Sequence, residues 1–139
     1  MLFRDCAGGV VFYKDSVFLL QNEKDEWVLP KGRIRDNKLS TEVALERVKI
    51  EAGIDAQILT SIGETSYEFF SLTRRTPVTN KISWYIMTAD SDQFEVNRDL
   101  QFTDGGYFPV EQAIERVTYS QDKGLISVAY RRYQKERAQ

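Results

Sequence analysis

A chain of 139 residues with 42% hydrophobic and 12% aromatic content is long enough to bury one sizeable core and too short for two ordinary domains. Its net charge of −2 and pI near 5.3 argue against a dominant nucleic-acid or anionic-membrane surface, which usually carries a strong basic excess. The lack of histidine excludes serine–histidine and cysteine–histidine nucleophiles, imidazole acid–base catalysis and histidine-type zinc centres, and the single cysteine, Cys6, has no intramolecular disulfide partner.

The opening stretch MLFRDCAGGVVFY holds an acid, Asp5, no basic leader and no cleavable apolar segment, and no apolar run approaches the roughly 20 residues of a spanning helix, so a cytoplasmic location is expected. Residues 7–13 and 17–21 are short apolar runs joined by Lys14-Asp15-Ser16, the pattern of a strand hairpin. Trp27-Val28-Leu29 is a third extended segment, halted by Pro30 and followed by Gly32 and a polar loop from Arg33 to Leu39. Ile58-Leu59, Thr65 to Ser71 and Ile82 to Met87 read as further strands, with a turn at Arg74 to Pro77. Tyr107-Phe108 is a last short strand, and two helices, Val110 to Val117 and Lys123 to about Glu136, finish the chain. Strands and helices that do not alternate regularly predict one α/β domain over 1–139, a mixed β-sheet sandwiched between α-helices.

Between these strands the segment STEVALERVKIEAG, Ser40 to Gly53, reads as a capped amphipathic helix. Ser40 or Thr41 offers a hydroxyl to an unpaired backbone N–H, and Gly53 suits a left-handed terminus. At about 100° per residue, Ala44, Leu45, Val48 and Ala52 share one buried arc, with Val43 and Ile50 widening the packed face. Arg47 and Glu51 lie one turn apart beside that stripe, at the spacing of an ion pair.

The stretch from Gly32 to Ile54 resembles the signature of the Nudix hydrolase (MutT-like) superfamily. In that signature a glycine, a loop glutamate, an Arg-Glu-apolar-any-Glu-Glu run and a closing glycine-apolar pair occur at fixed spacing. Gly32 and Gly53 fall on the two glycines, Val48 and Ile54 on the apolar positions, and no gap is needed. AGGVVF at Ala7, WVLPKG at Trp27, the SWYIM strand and GGYFPVEQA at Gly105 resemble further family segments, the nearest flavour being dinucleoside polyphosphate hydrolases. The resemblance implies the Nudix fold.

In the family the helix glutamates hold magnesium or manganese, which clamps a diphosphate and activates a water. Here the helix positions hold Arg47, Ile50 and Glu51, the loop glutamate falls on Lys38 and the signature arginine on Glu46: the box is degenerate. A guanidinium cannot coordinate a cation; beside a divalent ion about 5 Å away it costs on the order of several kcal/mol at an effective dielectric of about 20. Glu51 with Asp104 would hold at best one weak magnesium or manganese ion through waters. The expected function is therefore binding of a nucleotide or other diphosphate ligand, with Lys31, Gly32, Arg47 and Lys81 toward phosphate and Tyr67 and Tyr119 toward a base. The competing expectation is an active pyrophosphohydrolase for a compound such as a dinucleoside polyphosphate, with Glu51 and Glu46 as its catalytic acids. A nucleic-acid partner is disfavoured by the acidic pI, and exposed aromatics would permit a homodimer.

Overall fold

The computed structural model of the chain describes residues 2–138. Seven strands form one mixed sheet: β1 (Leu2–Tyr13), β2 (Ser16–Gln21), β3 (Trp27–Val28), β4 (Lys31–Arg33), β5 (Ala56–Ser71), β6 (Thr76–Ala89) and β7 (Asp104–Pro109). The main path runs β3-β2-β1-β6-β5, β4 pairs with β1 and β7 with β2. Among the described residues only β1 and β6 run parallel. Three helices complete the chain, α1 (Ser40–Ala52), α2 (Val110–Arg116) and α3 (Ser120–Arg137).

The period-2 alternation of the strands sorts side chains into two cores. Cys6, Val10 and Phe12 of β1, Val17 and Leu19 of β2, and Ile82, Trp84 and Ile86 of β6 face α2 and α3, meeting Val110, Ala113, Ile126 and Ala129. Ala7 and Val11, Phe18 and Leu20, and Met87 face the other way, against Val43, Ala44, Val48 and Ala52 of α1. Burial on both faces explains why the strands read as continuous apolar runs.

The ends of α1 fix its position. Gly53 takes the left-handed conformation, φ 67°, and donates to Lys49 O. The remaining carbonyls are met by the segment after β6: Glu95 N–H bonds Ala52 O, Asn97 N–H bonds Glu51 O and the Asn97 amide bonds Ile50 O.

Several sequence expectations change. Neither Ser40 nor Thr41 is the N-cap; that position is Leu39, whose N–H donates to Glu42 Oε1, because the Ser40 hydroxyl is bonded to the Tyr85 phenol across the sheet. Ile50 does not widen the packed face and is 45% exposed, whereas Val43 is buried. The two stretches read as separate strands at residues 58 and 65 are one long β5, which crosses two register shifts at Ile58/Thr60 and Ser61/Gly63. Arg33, read as the start of the polar loop, instead ends a short strand, β4 (Lys31–Arg33). No helix among the described residues is long and apolar enough to cross a membrane.

Candidate functional site

An open cleft of about 880 Å³ lies where β3, β4, the end of α1, the middle of β5 and β6 and the start of α3 converge. Lys31, Glu51, Tyr67 and Tyr119 line it together, four residues singled out in the sequence. Its apolar floor includes Leu29, Ile82 and Trp84, and the Trp84 indole is held by Thr65 Oγ1 at 2.8 Å. Tyr67 and Phe69 stack along its wall, centroids 6.1 Å apart, a surface suited to an aromatic ring of a ligand.

Glu51 is the buried acid of the site, 4% exposed. Its Oε2 accepts from Arg47 Nη2 at 2.7 Å and Nε at 3.1 Å. The Lys31 backbone also donates to this carboxylate. Burial pushes the Glu51 carboxyl above its ordinary value, against the opposing pull of Arg47 and Lys31. Arg47 reaches Glu51 by lying across Gly32: a Cβ there would stand 2.5 Å from Arg47 Cδ and Nε. The signature glycine thus makes room for the guanidinium stem, and Arg47 itself is turned to Glu51 rather than into the cleft lining.

The remaining residues are placed elsewhere. Glu46 is tied to Lys38, whose Nζ lies 2.9 and 3.0 Å from its two oxygens. The loop acid and helix arginine of the signature are both reversed in sign here, and the reversed residues face each other. Lys81 pairs with Glu64 at 3.4 Å and does not line the cleft. Asp104 opens β7 opposite Gln21, is exposed, and accepts from its neighbour Gly105 N–H at 2.8 Å; it does not line the cleft with Glu51. Among the described residues no group of three acids or thiols converges to hold a metal ion. The donor set around Glu51 therefore does not fit a helix-borne magnesium or manganese centre: one carboxylate is present, and a guanidinium holds it.

Glu23, Glu26, Glu68 and Asp122 line the cleft without having carried a sequence signal, and two of them have perturbed protonation. Asp122, in the first turn of α3, reads as a charge that complements a helix N-terminus; folding places it in the cleft, where burial raises its pKa and Lys31 opposes the rise. Glu26 accepts from the Tyr119 hydroxyl and from Asn22 Nδ2, and these bonds hold its pKa below the usual range. The same contact raises Tyr119 to about 12. This bond ties the β2–β3 loop to the start of α3 and closes one margin of the cleft.

The model of the NUDIX domain family matches residues 2–127. Solved structures similar to this chain include an Ap4A hydrolase from C. elegans, 18% identical with TM-score 0.69, covering 90% of this chain and 93% of that one. The E. coli dihydroneopterin triphosphate pyrophosphohydrolase is 17% identical with TM-score 0.72, covering 91% and 95%. A MutT NUDIX hydrolase from Burkholderia pseudomallei is 16% identical with TM-score 0.62, covering 85% and 100%.

Proposed function

The chain belongs to the NUDIX domain family, and we propose that it uses the cleft to bind a nucleotide or other diphosphate-containing ligand, with hydrolysis lost or much weakened. What carries this reading is the Arg47–Glu51 pair at 2.7 Å, which occupies the one helix acid the degenerate box retains. Lys31 supplies positive charge at the cleft wall, and Tyr67, Phe69 and Tyr119 supply faces for a base. Calorimetry with ADP, with and without magnesium, tests it: binding without metal, weakened by Lys31→Ala, is the expected result, and rapid magnesium-dependent turnover abolished by Glu51→Gln would overturn it.

A second reading rests on the charge of the cleft. Its lining holds Glu23, Glu26, Glu51, Glu68 and Asp122 against Lys24 and Lys31, an acid excess that a phosphate ligand would meet more easily with a cation of its own. In that case the chain cleaves a nucleoside-diphosphate-linked compound such as a dinucleoside polyphosphate. The two readings separate on whether turnover or only binding depends on added magnesium or manganese.

A further inference from the structure

Beyond Phe69, next to the cleft, β1, β4 with the residues that follow it, and the β5–β6 turn carry four arginines, three of which act on the charge of the fourth, Arg33. Arg33 stands directly opposite Cys6, and Arg4 lies two residues before Cys6 on the same face of β1. Ile34 N–H bonds Asp5 O and carries the ladder one step further toward Arg35. Arg4 lies over the Phe69 ring, 5.9 Å from its centroid. Lys31 and Arg33 share one face of β4, two residues or about 6.6 Å apart, so one row of positive charge runs from inside the cleft outward.

Two observations mark this end of the sheet as built for a ligand. First, none of Arg4, Arg33, Arg35 and Arg74 meets a carboxylate among the described residues. Partial desolvation and then the like charges of Arg35, Arg4 and Arg74 push the Arg33 pKa down, with Cys6 opposing, so the three guanidinium groups lie close enough to act on the fourth. Second, the cluster holds an unsatisfied polar atom. Arg4 Nε is a buried N–H donor without an acceptor; the Oδ1 of Asn80, opposite Arg4 in the β1–β6 register, is itself an acceptor and adds nothing to an anion site. The Asn80 amide is meanwhile fixed by its bond to the Tyr67 hydroxyl at 2.7 Å. Buried groups of this kind are costly when left unpaired.

We infer that Arg4, Arg33, Arg35 and Arg74 form an anion-binding extension of the cleft that takes the outer phosphates of an oligophosphate chain. The inference rests on the proposal that the cleft itself takes a nucleotide or diphosphate. Guanidinium groups bind phosphate oxygens through paired N–H donors without a metal, which suits a site whose helix acid is already neutralised. Arg4 lies nearest the cleft; Arg33, Arg35 and Arg74 are exposed and form the outer rim.

The test is calorimetry with inorganic tripolyphosphate in chelator, comparing the intact chain with Arg33→Gln/Arg74→Gln and, as a control, Lys49→Gln, whose side chain pairs with Asp55 elsewhere. The expected result is a loss of about tenfold or more in the arginine variant and a shallower salt dependence, little change in the control, and most of the affinity kept by Arg33→Lys/Arg74→Lys. No binding by the intact chain, or equal affinity in the arginine variant, would overturn the inference. Arginine-dependent binding of a 5′-phosphorylated oligonucleotide with none of tripolyphosphate would overturn it as well. ADP is titrated in parallel. Bound ADP with tripolyphosphate indifferent to the arginines retires this site and leaves the cleft reading standing; arginine-dependent tripolyphosphate binding with no ADP binding supports this site and retires the cleft reading.

Discussion

Arg47 grips Glu51 from one helical turn away, with Nη2 at 2.7 Å and Nε at 3.1 Å from the same oxygen. The guanidinium side chain is 29% exposed and the carboxylate 5%, so removing the arginine strands a buried acid. Arg47→Ala is expected to lose about 2–3 kcal/mol at about pH 8, less than a fully buried pair because Arg47 is partly solvated. Glu51 already binds its proton more tightly folded than unfolded, so the stability of this group falls as pH rises above the ordinary carboxyl value of 4.5. Without Arg47 that window widens upward, and the deficit should shrink toward about pH 5. Urea denaturation at both pH values checks this, and a deficit independent of pH would remove Glu51 from the account. Adding Glu51→Gln should recover most of the loss.

Gly32→Ala should disturb the same pair from below. The new methyl would meet Arg47 Cδ at 2.5 Å, and the flexible stem must swing off Glu51 to relieve it. A cost of about 1–2 kcal/mol is expected. In an Arg47→Ala background nothing remains to displace, so the two changes should fall short of additivity. Full additivity in a double-mutant cycle would contradict this account.

The Lys38–Glu46 pair is half exposed on both sides, 43% and 43%, so solvent screening leaves its coupling small. Lys38→Glu alone sets two acids face to face; adding Glu46→Arg rebuilds the pair in the orientation of the family signature. Thermal denaturation of the two singles and the double should show the exchange restoring the midpoint, and a double no better than the worse single would argue against the alignment of the loop with the helix.

Tyr119 and Tyr107 are both raised to about 12, Tyr119 chiefly by its bond to Glu26 and Tyr107 chiefly by burial. Spectrophotometric titration should therefore leave these phenols largely protonated at about pH 11. Because the unfolded phenols ionise first, the stability they contribute is intact below about 10 and drains away between 10 and 12. Glu26→Gln should return Tyr119 alone toward its ordinary value, visible as one tyrosine ionising earlier; an unchanged curve would show that the Glu26 contact does not hold in solution.

Placing the signature's acids on α1 tests the proposal of lost or weakened hydrolysis directly. Arg47→Glu and Ile50→Glu, with Glu46→Arg, place three carboxylates along one edge of α1 with Glu51, and Ile50 is exposed enough to accept the charge. Manganese binding followed by spin resonance should tighten on the order of tenfold or more, since ligand charge sets affinity for hard cations. No gain would mean that the end of α1 is not where a cation can sit.

The sheet and its helices were legible because burial on both faces left long apolar runs, and Gly53 announced the end of α1. The edges were less so. β5 is exposed along most of its length and bends at Gly63, φ 103°, so it looked broken. At the site, Lys31, Glu51, Tyr67 and Tyr119 could be found because the signature or aromatic pattern placed them. Asp122 and Glu26 could not, since each reaches the cleft only through tertiary contacts that no local spacing encodes. The Arg47–Glu51 pair could be read from its i,i+4 spacing, whereas the passage of the Arg47 stem over Gly32 is a packing outcome.

The parallel pairing of β1 with β6 has a consequence for biosynthesis. Leu2 meets Val78 and Phe12 meets Thr88, so β1 leaves the ribosome well before the strand that becomes its parallel neighbour. The β1–β2 hairpin, joined at Phe12 and Val17, can zip early, but its open side stays unshielded until the β5–β6 hairpin has emerged. A nascent chain stalled ahead of β6 would display Val10 and Val11 to the chaperone machinery instead of to a partner strand.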